Sequence, residues 1–453
     1  MNWKSLYTSK RLGAESRYET EKADLIRNAY LRDYDRLIFS SPFRRMQNKT
    51  QVFPVPGPIF VHNRLTHSLE VASVGRSLGK AVGVKLSQKY PEENPDFHEF
   101  YRYDLPTVIA TACLAHDIGN PPFGHSGESA IRNYFDNLTG ETKDTLEAEL
   151  SENQLNDFRK FEGNANAFRI LTNDQNGHKL TYTAISTIVK YPTDSTNGFN
   201  KKTGLISTKK SGFFDSEIDV YRKVADELKI QVLNDELNTF ARHPFVFLME
   251  AADDICYRII DLEDAHRLRI LTVQQVLDLL LPFWENDETT YKYLIESKLP
   301  RITDNNERLA FLRAMLINLL SQQCTEAFMK HEQEILSGQL NKSLIDMLDV
   351  HTQACLQKVD DISVSEIYNH KSVIEIEIAG YNVIGALLDE FVTAVLHPAR
   401  SKSGKLLQLI PKQFNVNQES LYADIQSVVD FVAGMSDLYA VDLYRRITGI
   451  TIH

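Results

Sequence analysis

Apolar residues recur three and four positions apart along most of this chain, and few segments alternate as strands do, so the pattern predicts a mainly α protein. Leu69, Ala72, Gly75, Leu78, Gly79 and Val82 place a helix over roughly 66–83, behind Thr66 as its N-cap. A second helix opens at Asp104 with Pro106 in its first turn, runs through Val108, Ile109, Ala112 and Cys113, and stops at Gly119 before Pro121-Pro122. His116-Asp117 fall in its last turn. The third is the clearest: Pro244 fits its first turn, and Phe245, Leu248, Ala252, Ile255, Ile259 and Leu262 form one core stripe. Glu250, Asp253, Tyr257, Asp261 and Asp264 keep the same spacing on a neighbouring stripe, a polar face that can border a pocket.

Three stretches depart from this rhythm. Residues 138–160 are acidic and polar, and residues 192–212, rich in Thr, Ser, Asn, Gly and Lys, read as a long exposed loop. Val373-Ile-Glu-Ile-Glu-Ile378 alternates cleanly and predicts a strand in a small hairpin or sheet. A soft boundary near 270 separates residues 1–270, which hold the motifs, from a helical C-terminal region, 271–453, expected either as a separate part or packed as one unit with the core. No internal repeat stands out.

With 453 residues, 43% of them apolar, the chain can bury a sizeable core in one large domain or two to three ordinary ones. Its start has no apolar run of signal-peptide length, and no stretch approaches the roughly 20 apolar residues of a membrane span. The expected location is the cytoplasm. Cys113, Cys256, Cys324 and Cys355 form no CxxC pair and read as reduced core thiols. A formal charge of −11 argues against a generally basic surface that coats nucleic acid, while leaving room for a local cationic pocket.

The chemistry lies in an ordered pattern, H…HD…D, supplied by His67, His116-Asp117 and Asp253. Two imidazoles and two carboxylates can surround one divalent ion and leave positions open for water and a phosphate oxygen. A lone His-Asp dipeptide means little. The surrounding text is more specific: His62-Asn-Arg-Leu-Thr-His67 and His116-Asp-Ile-Gly-Asn-Pro-Pro-Phe-Gly-His-Ser-Gly-Glu128 resemble the HD-domain superfamily, and specifically the bacterial deoxyguanosine triphosphate triphosphohydrolases. Lys49-Thr-Gln-Val-Phe-Pro54, Phe161-Glu-Gly-Asn-Ala165, Gly212-Phe-Phe-Asp-Ser-Glu217 and Met249-Glu-Ala-Ala-Asp-Asp-Ile255 extend the resemblance over roughly residues 30–270.

That resemblance implies metal ligation by His67, His116, Asp117 and Asp253, with Mn²⁺ or Mg²⁺ as the ion and Fe²⁺ or Co²⁺ as alternatives. The activity it implies is hydrolysis of a deoxynucleoside triphosphate (dNTP) to deoxynucleoside and intact triphosphate. It also implies a catalytic role for His125 and Glu128, which stand three apart, close enough on one helical turn for the carboxylate to orient the imidazole. Arg64, Lys190 and Lys210 are the candidate phosphate partners. By similarity to the wider dNTP-hydrolase group, Gln51 and Asp261 bond the sugar 3′-hydroxyl and Tyr257 packs under the deoxyribose. The vertebrate branch of that group has a histidine where this chain has Asn120, so its catalytic arrangement does not transfer whole. Family members are typically oligomers and can respond to a regulatory nucleotide or to single-stranded DNA, so a homo-oligomer is expected here. The competing readings are another HD phosphohydrolase (a nucleoside monophosphatase or a phosphodiesterase) and a nucleotide- or single-strand-binding regulator without activity.

Overall fold

A computed structural model describes residues 1–15, 28–53, 60–173, 177–414, 416 and 420–450. Pro54, the last residue of the Lys49–Pro54 string, lies outside them. Eight helices carry the architecture: α1 (Arg64–Lys89), α2 (Leu105–Ala115), α3 (Gly124–Asp136), α4 (Val246–Arg267), α5 (Asn305–Lys330), α6 (Lys371–Leu396), α7 (Leu421–Ala433) and α8 (Asp437–Ile447). The mainly α expectation holds. Among the described residues the one sheet is a two-stranded hairpin, β1 (Val232–Asn234) antiparallel to β2 (Thr239–Phe240).

α1 begins where the Asn63 side chain accepts from the Thr66 amide while the Thr66 hydroxyl oxygen accepts from the Asn63 amide, a reciprocal cap. It lies against α2 along Gly75 and Gly79, and against the 100–104 turn leading into α2 at Gly83. A Cβ at Gly83 would come within 1.8 Å of the Tyr101 carbonyl oxygen, and one at Gly75 within 2.4 Å of Cys113 Sγ. Only glycine allows the two backbones so near, and this closeness sets His67 beside the end of α2.

Two apolar cores form. The first holds Leu78, Ile109 and Ile255 together with Leu316, Leu356 and Val373. The second joins Ile131, Phe135 and Phe158 to Leu387, Phe391, Val429 and Leu443. Each core therefore draws on chain from both sides of residue 270. The four cysteines are free and buried.

Several expectations need correction. Val373–Ile378 is not a strand but the start of α6. Strand propensity differs among residues by only about 1 kcal/mol, and the packing of α6 along Val383, Ile384, Leu387, Leu388 and Phe391 outweighs it. This helix is also long and apolar enough by composition to cross a membrane, contrary to the sequence expectation; its place in the second core accounts for that apolarity. The 192–212 segment is irregular as expected, yet not exposed throughout: Thr193, Asp194, Ser195, Ser207, Thr208 and Ser211 are buried. Asp194 makes this tolerable by accepting from the Asn197 backbone and side chain and from Asn238. Thr66 is the third residue of α1 rather than its cap, α2 ends at Ala115 rather than Gly119, and Pro244 precedes α4 by two positions.

Candidate metal centre and active site

Three helices meet at the H…HD…D residues. His67 sits in the first turn of α1, His116 caps the C-terminal end of α2 with Asp117 on the turn beyond, and Asp253 sits in the second turn of α4. One ligand atom each from His67, His116 and Asp117 lies within 4.8 Å of the others. Asp253 Oδ1 stands 3.2 Å from His67 Nε2 and 3.5 Å from His116 Nε2. His116 Nδ1 lies 2.6 Å from the Cys113 carbonyl, to which its N–H donates, and this orients Nε2 toward the cluster. A divalent ion fits this donor set of two nitrogens and two carboxylates.

The electrostatics agree. Burial alone would lower the pKa of His116, but the charges of Asp117 and Asp253 raise it to about 9. Both carboxylates remain well below their ordinary range despite burial, Asp117 through Arg64 and His116, Asp253 through His116 and Lys190. Two ionised carboxylates facing two imidazoles form a site that favours positive charge at its centre.

The cluster opens into a cavity of about 540 Å³, within the range of ligand pockets. Gln51, Arg64, His67, His116, Asp117, His125, Lys190, Lys210, Asp253, Tyr257 and Asp261 all line it. Glu128 does not; it lies behind His125, fully buried, its Oε2 2.8 Å from His125 Nδ1 and its Oε1 accepting from the Gly163 amide at 2.7 Å. Each candidate phosphate partner already meets a carboxylate: Arg64 Nη1 lies 2.6 Å from Asp117, Lys190 3.3 Å from Asp253, and Lys210 2.8 Å from Glu162. Asp261 accepts from the Tyr368 hydroxyl at 2.7 Å, and burial pushes its pKa up to about 7. Gln51 Oε1 is buried and has no hydrogen-bond partner among the described residues.

Comparison with known proteins adds a lineage to this geometry. Residues 64–265 match the HD domain, and residues 348–446 match the phosphohydrolase-associated domain. A deoxyguanosinetriphosphate triphosphohydrolase-like protein of Pseudomonas aeruginosa is 39% identical over 99% of both chains. One of Synechocystis is 37% identical over the whole of both. The deoxyguanosinetriphosphate triphosphohydrolase of Yersinia enterocolitica is 30% identical over 96% of this chain and 95% of its own. The chain belongs to the deoxyguanosinetriphosphate triphosphohydrolase-like family of HD proteins. It is a divalent-metal-dependent phosphohydrolase.

Within this HD frame several pocket residues escaped the sequence reading. Glu162 borders the cavity near Lys210; it stood inside the Phe161–Ala165 string, so its signal was present. Tyr368, Ile376 and Glu377 also line it, and they belong to the phosphohydrolase-associated region. Nothing local marks them, and reading 373–378 as a strand hid the last two. The polar stripe of α4 divides: Asp253, Tyr257 and Asp261 face the cavity, while Glu250 pairs with Arg242 at 2.7 Å and Asp264 with His62 at 2.9 Å.

Proposed function

We propose that this protein hydrolyses dNTPs to deoxynucleoside and inorganic triphosphate. The observation that carries the reading is the H…HD…D cluster at the floor of a cavity whose wall also bears Arg64, Lys190, Lys210 and the supported His125. His67, His116, Asp117 and Asp253 would hold the metal, and this mixed set suits Mn²⁺ or Mg²⁺, with Fe²⁺ or Co²⁺ as alternatives. When bound there, a divalent ion supplies Lewis acidity toward an α-phosphoryl oxygen and toward the attacking water.

The residues do the rest. Arg64, Lys190 and Lys210 pair the charge of the phosphate tail, exchanging part of their present carboxylate contacts for phosphate oxygens. His125, held through Nδ1 by Glu128, presents Nε2 to the pocket and donates a proton to the departing 5′-oxygen. Gln51 and Asp261 bond the 3′-hydroxyl, and Tyr257 packs under the sugar where a 2′-hydroxyl would clash. We further read the protein as a cytoplasmic homo-oligomer, open to regulation by a second nucleotide or single-stranded DNA, with residues 1–270 as its HD-type core and 271–453 as a helical region packed with it.

Incubation of the purified protein with Mn²⁺ and each dNTP in ¹⁸O-labelled water tests the reading. Label is expected in triphosphate and not in the deoxynucleoside. A dNDP first product, label in the nucleoside hydroxyl, or turnover only of monophosphates or diesters would overturn it.

A further inference from the structure

One short turn of the C-terminal region reaches both rims of the cavity. Lys49 is buried and its ammonium donates to the Asn120 carbonyl at 2.5 Å and to the Ala433 carbonyl, at the end of α7, at 2.9 Å. Four residues after Ala433, Asp437 opens α8. Its Oδ2 accepts from the Thr50 amide at 2.8 Å and the Thr50 hydroxyl at 2.5 Å, and its Oδ1 accepts from the Phe123 amide at 3.0 Å. Thr50 adjoins Gln51, and Phe123 lies two residues before His125. The 433–437 turn thus binds the segment that offers Gln51 and the turn that offers His125.

Asp437 is not needed as a helix cap. Ser436 performs that role, accepting from the Tyr439 amide. Both oxygens of the 5%-exposed Asp437 are instead given to other parts of the chain. The turn they hold requires holding: Phe123 has φ 61°, a left-handed conformation costing a non-glycine residue roughly 1–2 kcal/mol, and Gly124 follows at φ 58°. α6 closes over the same residue, since a Cβ at Gly380 would come within 3.0 Å of the Phe123 side chain.

We infer that Asp437 is a positioning residue for the reaction proposed above: through Phe123 and Thr50 it sets the place of His125 relative to the metal cluster and of Gln51 relative to the sugar. The inference rests on that functional reading. It gives the phosphohydrolase-associated region a direct part in the chemistry of the HD site, beyond the pocket wall it supplies.

The test compares full-length wild type, Asp437→Asn, Asp437→Ala and Leu443→Ala, the last removing core volume from the same helix while keeping the Asp437 hydrogen bonds to Thr50 and Phe123. In Asp437→Ala, kcat is expected to fall about 10- to 100-fold while KM changes less than about threefold, as for a misplaced catalytic group. Asp437→Asn, which keeps the shape and one acceptor, recovers part of the loss, and Leu443→Ala keeps wild-type kcat well below its Tm. Wild-type kcat in both Asp437 variants, or an equal loss in Leu443→Ala at matched Tm, would overturn the inference. If Asp437→Ala does not fold, Asp437→Asn decides, with a several-fold fall in kcat expected and wild-type kcat overturning. A substrate-free arm measures amide exchange at Phe123, expected to accelerate in Asp437→Asn relative to Leu443→Ala; equal protection overturns. Should wild type act on no dNTP, the functional reading fails, and this exchange comparison alone judges the clamp.

Discussion

His125 Nδ1 lies 2.8 Å from Glu128 Oε2, so an imidazole that is 79% exposed is held by a carboxylate that is 1% exposed. Burial opposes ionisation of Glu128, yet the His125 hydrogen bond and the charges of His125 and Lys210 keep its pKa below the ordinary range. A solvent-facing imidazole with a rigid support is suited to proton transfer. His125→Ala and Glu128→Ala should bind Mn²⁺ and nucleotide nearly as wild type and turn over at least about 10²-fold more slowly. A rise in KM at unchanged kcat would make them binding residues instead.

Asp253 touches both imidazoles of the cluster as well as Lys190. Replacing Asp253 or His116 by Ala is expected to abolish metal occupancy and turnover together, since each removes one of four protein ligands. Metal analysis of the dialysed variants beside a steady-state assay checks this. Full occupancy with full activity in either variant would refute the ligand assignment.

Tyr257 and Asp261 lie one turn apart on α4 and both line the cavity. If the ring excludes a 2′-hydroxyl, Tyr257→Ala should raise the ratio of GTP to dGTP turnover. Equal hydrolysis of the two by wild type would mean that the ring is no gate.

Lys49 carries a pH signature. Burial, and secondarily the nearby Arg45 charge, lower its pKa to about 7, against about 10.4 for an unfolded lysine. The unfolded chain therefore binds more protons between these values, and this site makes stability rise with pH across that window and stay flat below about 7. The slope can reach about 1.4 kcal/mol per pH unit. Denaturant midpoints of wild type and Lys49→Met at pH 7 and 9 test it: the gain on going to pH 9 should be larger in wild type. Parallel profiles would show that Lys49 does not titrate in that window.

How much of this was legible beforehand differs by element. The three helices that carry His67, His116-Asp117 and Asp253 could be read because each presents its core face every three or four residues, and because Gly119 and Pro121 punctuate the chain locally. His125 and Glu128 were found together because three residues along a helix is itself a contact distance. The pairing of Arg64, Lys190 and Lys210 with Asp117, Asp253 and Glu162 was not legible, since each carboxylate approaches from a separate segment.

The sequence by itself determined the helical class, the donor atoms and the order in which the chain delivers them, because periodicity and side-chain chemistry are local properties. Tertiary structure decided the rest. Val373–Ile378 alternates like a strand, yet it is wound into α6 and turns Ile376 and Glu377 to the cavity, because the burial of Leu387, Leu388 and Phe391 further along outweighs a local preference. Asp437 looks like an ordinary first-turn acid, and only the fold brings Thr50 and Phe123, 387 and 314 residues away, onto its two oxygens. Which distant donors a carboxylate meets depends on how whole helices pack, and that is set by the summed burial of two cores rather than by any window of sequence.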